Sequence, residues 1–238
     1  MNKRICLWSC PRNVSTALMY SFAQRRDTKV FDEPLYAHYL LQSNANHPAR
    51  NEVLQSQEND GNKVVNNIIL KEHALISFHK LMTHFLININ TDFLERVSNI
   101  IFIRNPKEII TSYSKVIPNP KMTDIGVKKQ FELYHKLSNR GCCPIVLDSQ
   151  YLLKDPKRIL EKLCFLLRIS FEEKMLEWEQ GGRKEDGVWA SYWYKNVHSS
   201  IGFLPYIKKE TNLADSNLRL SEKCQPYYEF LTNKSIKI

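Results

Sequence analysis

No apolar run in the 238-residue chain approaches the roughly 20 residues needed to cross a bilayer, so no membrane span is expected. The opening, Met1-Asn2-Lys3-Arg4-Ile5, is basic, but the apolar run that follows stops at Ser9. That is too short for the core of a secretory leader, and a cytoplasmic location is expected. The G-x-x-x-x-G-K-[ST] phosphate loop of ATP- and GTP-using enzymes is missing. The six cysteines, at 6, 10, 142, 143, 164 and 224, follow no zinc spacing, and several lie inside apolar runs. They read as reduced structural cysteines, and no metal site is expected. There is no internal repeat or low-complexity segment. Net charge is +9 and pI about 9.2, which favours anionic partners. The Lys and Arg residues are scattered with no long basic run, which argues against nucleic acid as the main partner.

What is present is enough apolar content, 43%, for one domain with a real core. We read residues 1–238 as a single domain, with 43–62 a polar lid or loop insertion and 204–238 a C-terminal extension. Short buried runs at 5–8, 30–31, 75–78, 99–103 and 144–147 read as strands, the last closed by Asp148. Helical patterns follow most of them: one leaves Val14, one spans 35–42, one runs from Val64 to about Glu72, one starts near Lys107, and one follows the Asp155-Pro156 cap. Strands alternating with helices predict a three-layer α/β/α domain around a mostly parallel sheet.

The polar residues fall at strand ends. Arg12, Glu33, Lys80 and Arg104 each come just past a different expected strand, and parallel strands gather those ends at one edge. The first turn, Trp8-Ser9-Cys10-Pro11-Arg12-Asn13-Val14-Ser15-Thr16, joins a strand to a helix. Its backbone N–H groups and helix dipole suit an anion, as do two hydroxyls and a planar guanidinium.

Two features together resemble the sulfotransferases that use 3′-phosphoadenosine-5′-phosphosulfate (PAPS). Ser9, Pro11, Arg12, Ser15 and Thr16 match that family's T/S-x-P-K/R-S-G-T/S-T loop, and Arg104 is followed eight residues later by Ser112. The resemblance implies the sulfotransferase form of the P-loop nucleoside-kinase-like fold. It implies PAPS as sulfuryl donor, adenosine 3′,5′-bisphosphate as product, and no metal. It places Arg12, Asn13, Val14, Ser15 and Thr16 on the 5′-phosphosulfate and Arg104 and Ser112 on the 3′-phosphate. Arg183 and Lys184 loosely match the family's late Arg-Lys-Gly loop, which also touches the 3′-phosphate. Val14 replaces the loop glycine, so this backbone position is expected to avoid positive φ. Ala17 replaces a tryptophan that stacks on adenine, leaving Trp8, Trp189 and Trp193 as candidate platforms.

The partner implied is a small acceptor bearing a hydroxyl or amine. Its proton needs a base. Lys80 takes the place of the family's strand-end lysine and Met82 that of its histidine. His84 is then the next imidazole, and Glu33, in a Glu-Pro pair, is an equal candidate. His73 is a third, expected at a helix end. The alternatives are a catalytically silent nucleotide-binding relative, or an ATP- and magnesium-dependent phosphotransferase using Asp148. Acceptor identity and oligomeric state have no signal in the sequence.

Overall fold

The structure, a computed structural model, describes residues 2–208 and 213–238. Five strands form one sheet: β1 (Lys3–Ser9), β2 (Thr28–Asp32), β3 (Ile76–Met82), β4 (Ser98–Ile103) and β5 (Ile145–Asp148). Their order is β2-β3-β1-β4-β5, and every pair is parallel. Helices cover both faces, so both faces of the strands are buried and mostly apolar rather than alternating with solvent-facing polar residues. Ile5, Leu7, Ile100 and Phe102 feed the core under α1 (Ser15–Ala23). Cys6, Trp8, Ile101 and Ile103 feed the opposite core under α2 (Tyr36–Ser43).

The polar stretch 43–62 carries one short helix, α3 (Arg50–Ser56), anchored by buried Val53. The expected helix from Val64 to Glu72 is shorter: one α turn, Gly61–Val64, passes into a π-helical turn, Val65–Ile69, and stops. The run 75–78 understates β3, which continues to Met82. Lys80 is therefore inside a strand and not past its end, a correction that the charged pair His79-Lys80 hid. After β4 comes α4 (Pro106–Tyr113), with Pro106 in its first turn and Asn105 capping the Lys107 N–H. Helices α5 (Val127–Asn139) and α6 (Pro156–Leu167) complete the two layers. Among the described residues no helix is long and apolar enough to cross a membrane.

The C-terminal helix α7 (Asp215–Asn233) buries Cys224, Tyr228 and Leu231 in the core above α4 and α5. Asp148 holds it there. One carboxylate oxygen accepts from Tyr228 Oη at 2.8 Å and Thr232 Oγ1 at 2.9 Å. The other accepts the Gln150 N–H at 2.8 Å. Burial raises the Asp148 pKa from its ordinary value, against the pull of these bonds. Tyr228→Phe removes a donor from a fully buried acceptor, which costs about 1–3 kcal/mol. Urea unfolding is expected to show that loss as a lower midpoint with an unchanged slope.

Candidate functional site

The strand order spreads the site across one edge of the sheet. From β2 to β4 stand Glu33, then Met82 at the end of β3 with His84 just past it, then the loop after β1, then Arg104 after β4 and Ser112 on α4. All of them line one cavity of about 560 Å³. Arg12, Glu33 and Arg104 line this cavity from strand ends, and Lys80 reaches its wall from within β3.

The loop Cys10–Val14 is wound tightly. Arg12 has φ 62° and Val14 has φ 61°, both left-handed. The expectation for Val14 was wrong: this β-branched residue occupies the conformation that favours glycine, storing about 1–3 kcal/mol of strain. The surroundings enforce it. Asn13 is fully buried, its amide donating to the Phe102 carbonyl at 2.5 Å and its oxygen accepting from Ser9 Oγ at 2.7 Å. Asn13 thus faces the cavity with its backbone and the core with its side chain. No side chain caps α1, so its first N–H groups stay available beside Ser15 and Thr16.

Arg12 crosses to α4, where its Nε donates to Ser112 Oγ at 2.9 Å. A second guanidinium corner donates to the Trp193 carbonyl at 3.1 Å. Arg104 donates to the Arg12 carbonyl at 2.5 Å and to Glu108 Oε2 at 2.8 Å. Burial and the neighbouring Arg104 both pull the Arg12 pKa down, the mark of two cations facing one site. Uncapped helix, paired guanidiniums and hydroxyls fit an anion with two charged groups.

At the β2–β3 end, Asp32 stands opposite Lys80 in the strand register. The Lys80 ammonium reaches Asp32 Oδ1 at 2.7 Å, Glu33 Oε1 at 2.6 Å and Tyr194 Oη at 2.5 Å. Tyr194 Oη also bonds both Asp32 oxygens and accepts from Trp189 Nε1 at 2.9 Å. Burial opposes the charge on Lys80, but the two carboxylates outweigh it and raise its pKa. Burial raises Glu33, with Asp32 adding to the effect and Lys80 opposing it. Lys80, which stands where the resemblance puts the family's strand-end lysine, has its charge paired with Asp32 and Glu33.

The base candidates separate. His73 bonds the Ile68 carbonyl at 3.0 Å and is not on the cavity. His84 is on it, and its Nδ1 is enclosed with no partner among the described residues. Burial, with His47, pushes its pKa down to about 3. That makes it a neutral hydrogen-bonding group and a weak proton acceptor. Glu33 is on the cavity with a pKa moved toward neutrality, which suits a base.

Arg183 and Lys184 are not brought to the cavity. Arg183 lies 5.6 Å over the Tyr20 ring and bonds Glu185 at 3.2 Å, and the Lys184 side chain is exposed. Asp186 ties this loop to α1 by accepting from Tyr20 Oη at 2.5 Å and from the Arg183 N–H at 3.0 Å. Trp8 is sealed in the core, bonded to Asn99 at 2.8 Å, and is no adenine platform. Trp193 lines the cavity and stacks with Tyr113. The sequence reading missed Tyr36 and His47, bonded to each other at 3.0 Å, which line the acid end with Phe85. A helical pattern marks Tyr36 as core, and nothing in the polar 43–62 stretch singles out His47.

A profile described as a sulfotransferase domain matches residues 3–234. Two Arabidopsis thaliana proteins, named branched-chain-amino-acid aminotransferase-like proteins 1 and 2, are 40% identical over 228 residues and 37% identical over 227 residues. Each match covers 94% of this chain but 40% of the relative, so the chain spans about two fifths of those relatives' length. The sulfotransferase domain from the curacin biosynthetic pathway superposes with TM-score 0.54 at 16% identity, over 94% of this chain and 98% of that one. The sulfotransferase from Alicyclobacillus acidocaldarius superposes with TM-score 0.60 at 11% identity, over 99% of this chain and 98% of that one. Likeness at such identities speaks for the fold.

Two outcomes are expected from the site's energetics. Lys80→Met leaves two buried carboxylates without their cation, which costs about 3–5 kcal/mol. The pKa of Lys80 is raised, so its contribution is complete below the ordinary value of 10.5 and is lost only as pH rises past the folded value. Glu33 is raised too, so protonating it on acidification should relieve the variant. Urea titrations at neutral and mildly acidic pH should show a large deficit that narrows in acid. Val14→Gly relieves the left-handed strain against a smaller unfolded-chain penalty of about 0.4–1 kcal/mol. Its urea midpoint should rise; a fall would mean that Val14 packing outweighs its strain.

Proposed function

The chain belongs to the sulfotransferase-domain family, and from that premise we propose that it moves a sulfuryl group from PAPS to a hydroxyl or amine of a small acceptor. The observation that carries this reading is the convergence of Arg12, Arg104 and Ser112 at an uncapped helix start. When bound, the donor supplies a sulfuryl group on a phosphate that keeps the bond electrons as the acceptor atom takes the sulfur. Arg12 and the first N–H groups of α1 stabilise the negative charge at the loop. Arg104 and Ser112 hold the second phosphate. Glu33 takes the acceptor's proton, while Lys80, Asp32 and Tyr194 fix its carboxylate. His84 and the Tyr36–His47 pair offer neutral polar contacts to the acceptor.

The phosphotransferase alternative loses its best residue, because both oxygens of Asp148 serve Tyr228, Thr232 and the Gln150 N–H. The aminotransferase-like names belong to polypeptides of which this chain spans two fifths, and they assign no chemistry to this segment. Lysine attack on a carbonyl needs a neutral, reachable amine, whereas Lys80 is buried and ion-paired.

Adenosine 3′,5′-bisphosphate should bind more tightly than AMP, and Arg104→Ala should erase most of that preference, worth about 1.5–3 kcal/mol. Calorimetry decides, and equal wild-type affinities would sink the donor assignment. In labelled-sulfate transfer across an acceptor panel, Arg12→Ala should lose roughly 10²–10³ in turnover. Glu33→Gln should lose roughly 10²–10⁴ while keeping nucleotide affinity. Transfer should persist in EDTA. Nucleotide binding with no transfer to any acceptor would favour the silent relative.

A further inference from the structure

Glu108 is a carboxylate in a place that should repel a phosphate. It lies one turn into α4, between Arg104 and Ser112 at successive intervals of four residues, and it lines the cavity. Its two oxygens are separately engaged. Oε2 accepts from Arg104 Nε at 2.8 Å, and Oε1 accepts from Tyr206 Oη at 2.8 Å. The Arg104 guanidinium is thus held at two corners, by Glu108 and by the Arg12 carbonyl. Its remaining corner, Nη2, has no partner among the described residues. Ser112 Oγ accepts from Arg12, and its own hydrogen donates to no described group. Both free donors belong to residues that line the same cavity, and the carboxylate beside them already has its two oxygens engaged.

We propose that Glu108 and Tyr206 are specificity-determining positioning residues, which hold Arg104 in the orientation that reads a 3′-phosphate on the nucleotide. This rests on the donor reading above and adds the residues that enforce it. Tyr206 also ties down a wall of the cavity. Phe203 packs edge-on to Trp178, but Leu204 is 60% and Ile207 71% exposed, so apolar burial does not hold the stretch from Leu204 to Ile207 in place. The Tyr206 hydroxyl on Glu108 and the Tyr206 N–H on the Leu153 carbonyl, at 3.2 Å, do. One carboxylate therefore sets both the phosphate-reading guanidinium and the strand of chain beside it.

The test is calorimetry with adenosine 3′,5′-bisphosphate and with AMP on the wild type, Glu108→Ala, Glu108→Gln and Tyr206→Phe. Glu108→Ala should lose about tenfold in bisphosphate affinity, the scale of one charge-assisted hydrogen bond. AMP affinity should stay within about twofold, which also reports that the variant is folded. Glutamine still offers Arg104 an oxygen, so Glu108→Gln should restore most of the loss. Tyr206→Phe should lose a few-fold, about the worth of one neutral bond, with faster amide exchange across 200–208. A gain of bisphosphate affinity in both Glu108 variants would overturn the proposal and make Glu108 a competitor for Arg104. Unchanged bisphosphate affinity in Glu108→Ala would also overturn it. A wild type that prefers neither nucleotide would remove the donor reading and this proposal together, whereas the variant outcomes remove the proposal alone.

Discussion

A lysine inside a parallel sheet has to be neutralised where it stands, and much of this molecule is arranged around that requirement. Lys80 points from β3 into a water-poor edge, where an unpaired ammonium would be several kilocalories unfavourable. Asp32 supplies the first counter-charge from the register-matched position on β2. Glu33 supplies the second, and its φ of 44° shows the chain turning sharply to bring it there. Tyr194 then reaches in from a segment 114 residues away to fill the last site on the ammonium. The result is a rigid acidic end whose carboxylate faces the cavity but cannot swing, which suits a base that has to meet one acceptor geometry.

The other end of the cavity is built on the opposite problem. Arg12 and Arg104 are brought together with one carboxylate, Glu108, paired to Arg104, and the remaining positive charge is relieved by backbone carbonyls and a serine hydroxyl. Those are neutral acceptors. An anion offers charge-assisted bonds roughly twice as strong, so the arrangement is stable without ligand and still favours exchange toward one. Sheet order keeps the two ends apart: the acid end lies over β2 and β3, the basic end over β1 and β4.

Features with a local cause were legible in the sequence. The β4 run, the Asn105-Pro106 helix start and the Arg104–Ser112 spacing lie within 15 residues of one another, from Ser98 to Ser112, and each depends on its neighbours alone. The loop after β1 was legible for the same reason. The left-handed Val14 was not, because Asn13 and the Phe102 carbonyl impose it from another strand. Lys80 was placed at a strand end because a charge usually ends a buried run, and its partners are 47 and 48 residues away. Arg183 and Lys184 are not on the cavity, since Asp186 ties their loop to Tyr20 of α1. In each miss a tertiary contact overrode a sound local expectation.

The late segment shows how such long-range contacts combine. Trp193 and Tyr194 are adjacent, yet the Trp193 carbonyl accepts from Arg12 at the basic end while the Tyr194 hydroxyl closes the Lys80 cluster at the acid end. Trp189, one helical turn earlier, packs edge-on against Tyr36 and donates to that same hydroxyl. The backbone of this wall is therefore positioned by both ends at once, through bonds of unequal strength. The bond to Arg12 is a single contact to a neutral carbonyl, and an anion in the loop would compete directly for that guanidinium. The bonds of Tyr194 are fully buried and shared among a lysine, a carboxylate and an indole, and nothing entering the basic end competes for them. The acid end's geometry therefore rests on buried contacts of its own, and one carbonyl bond ties the same wall to Arg12.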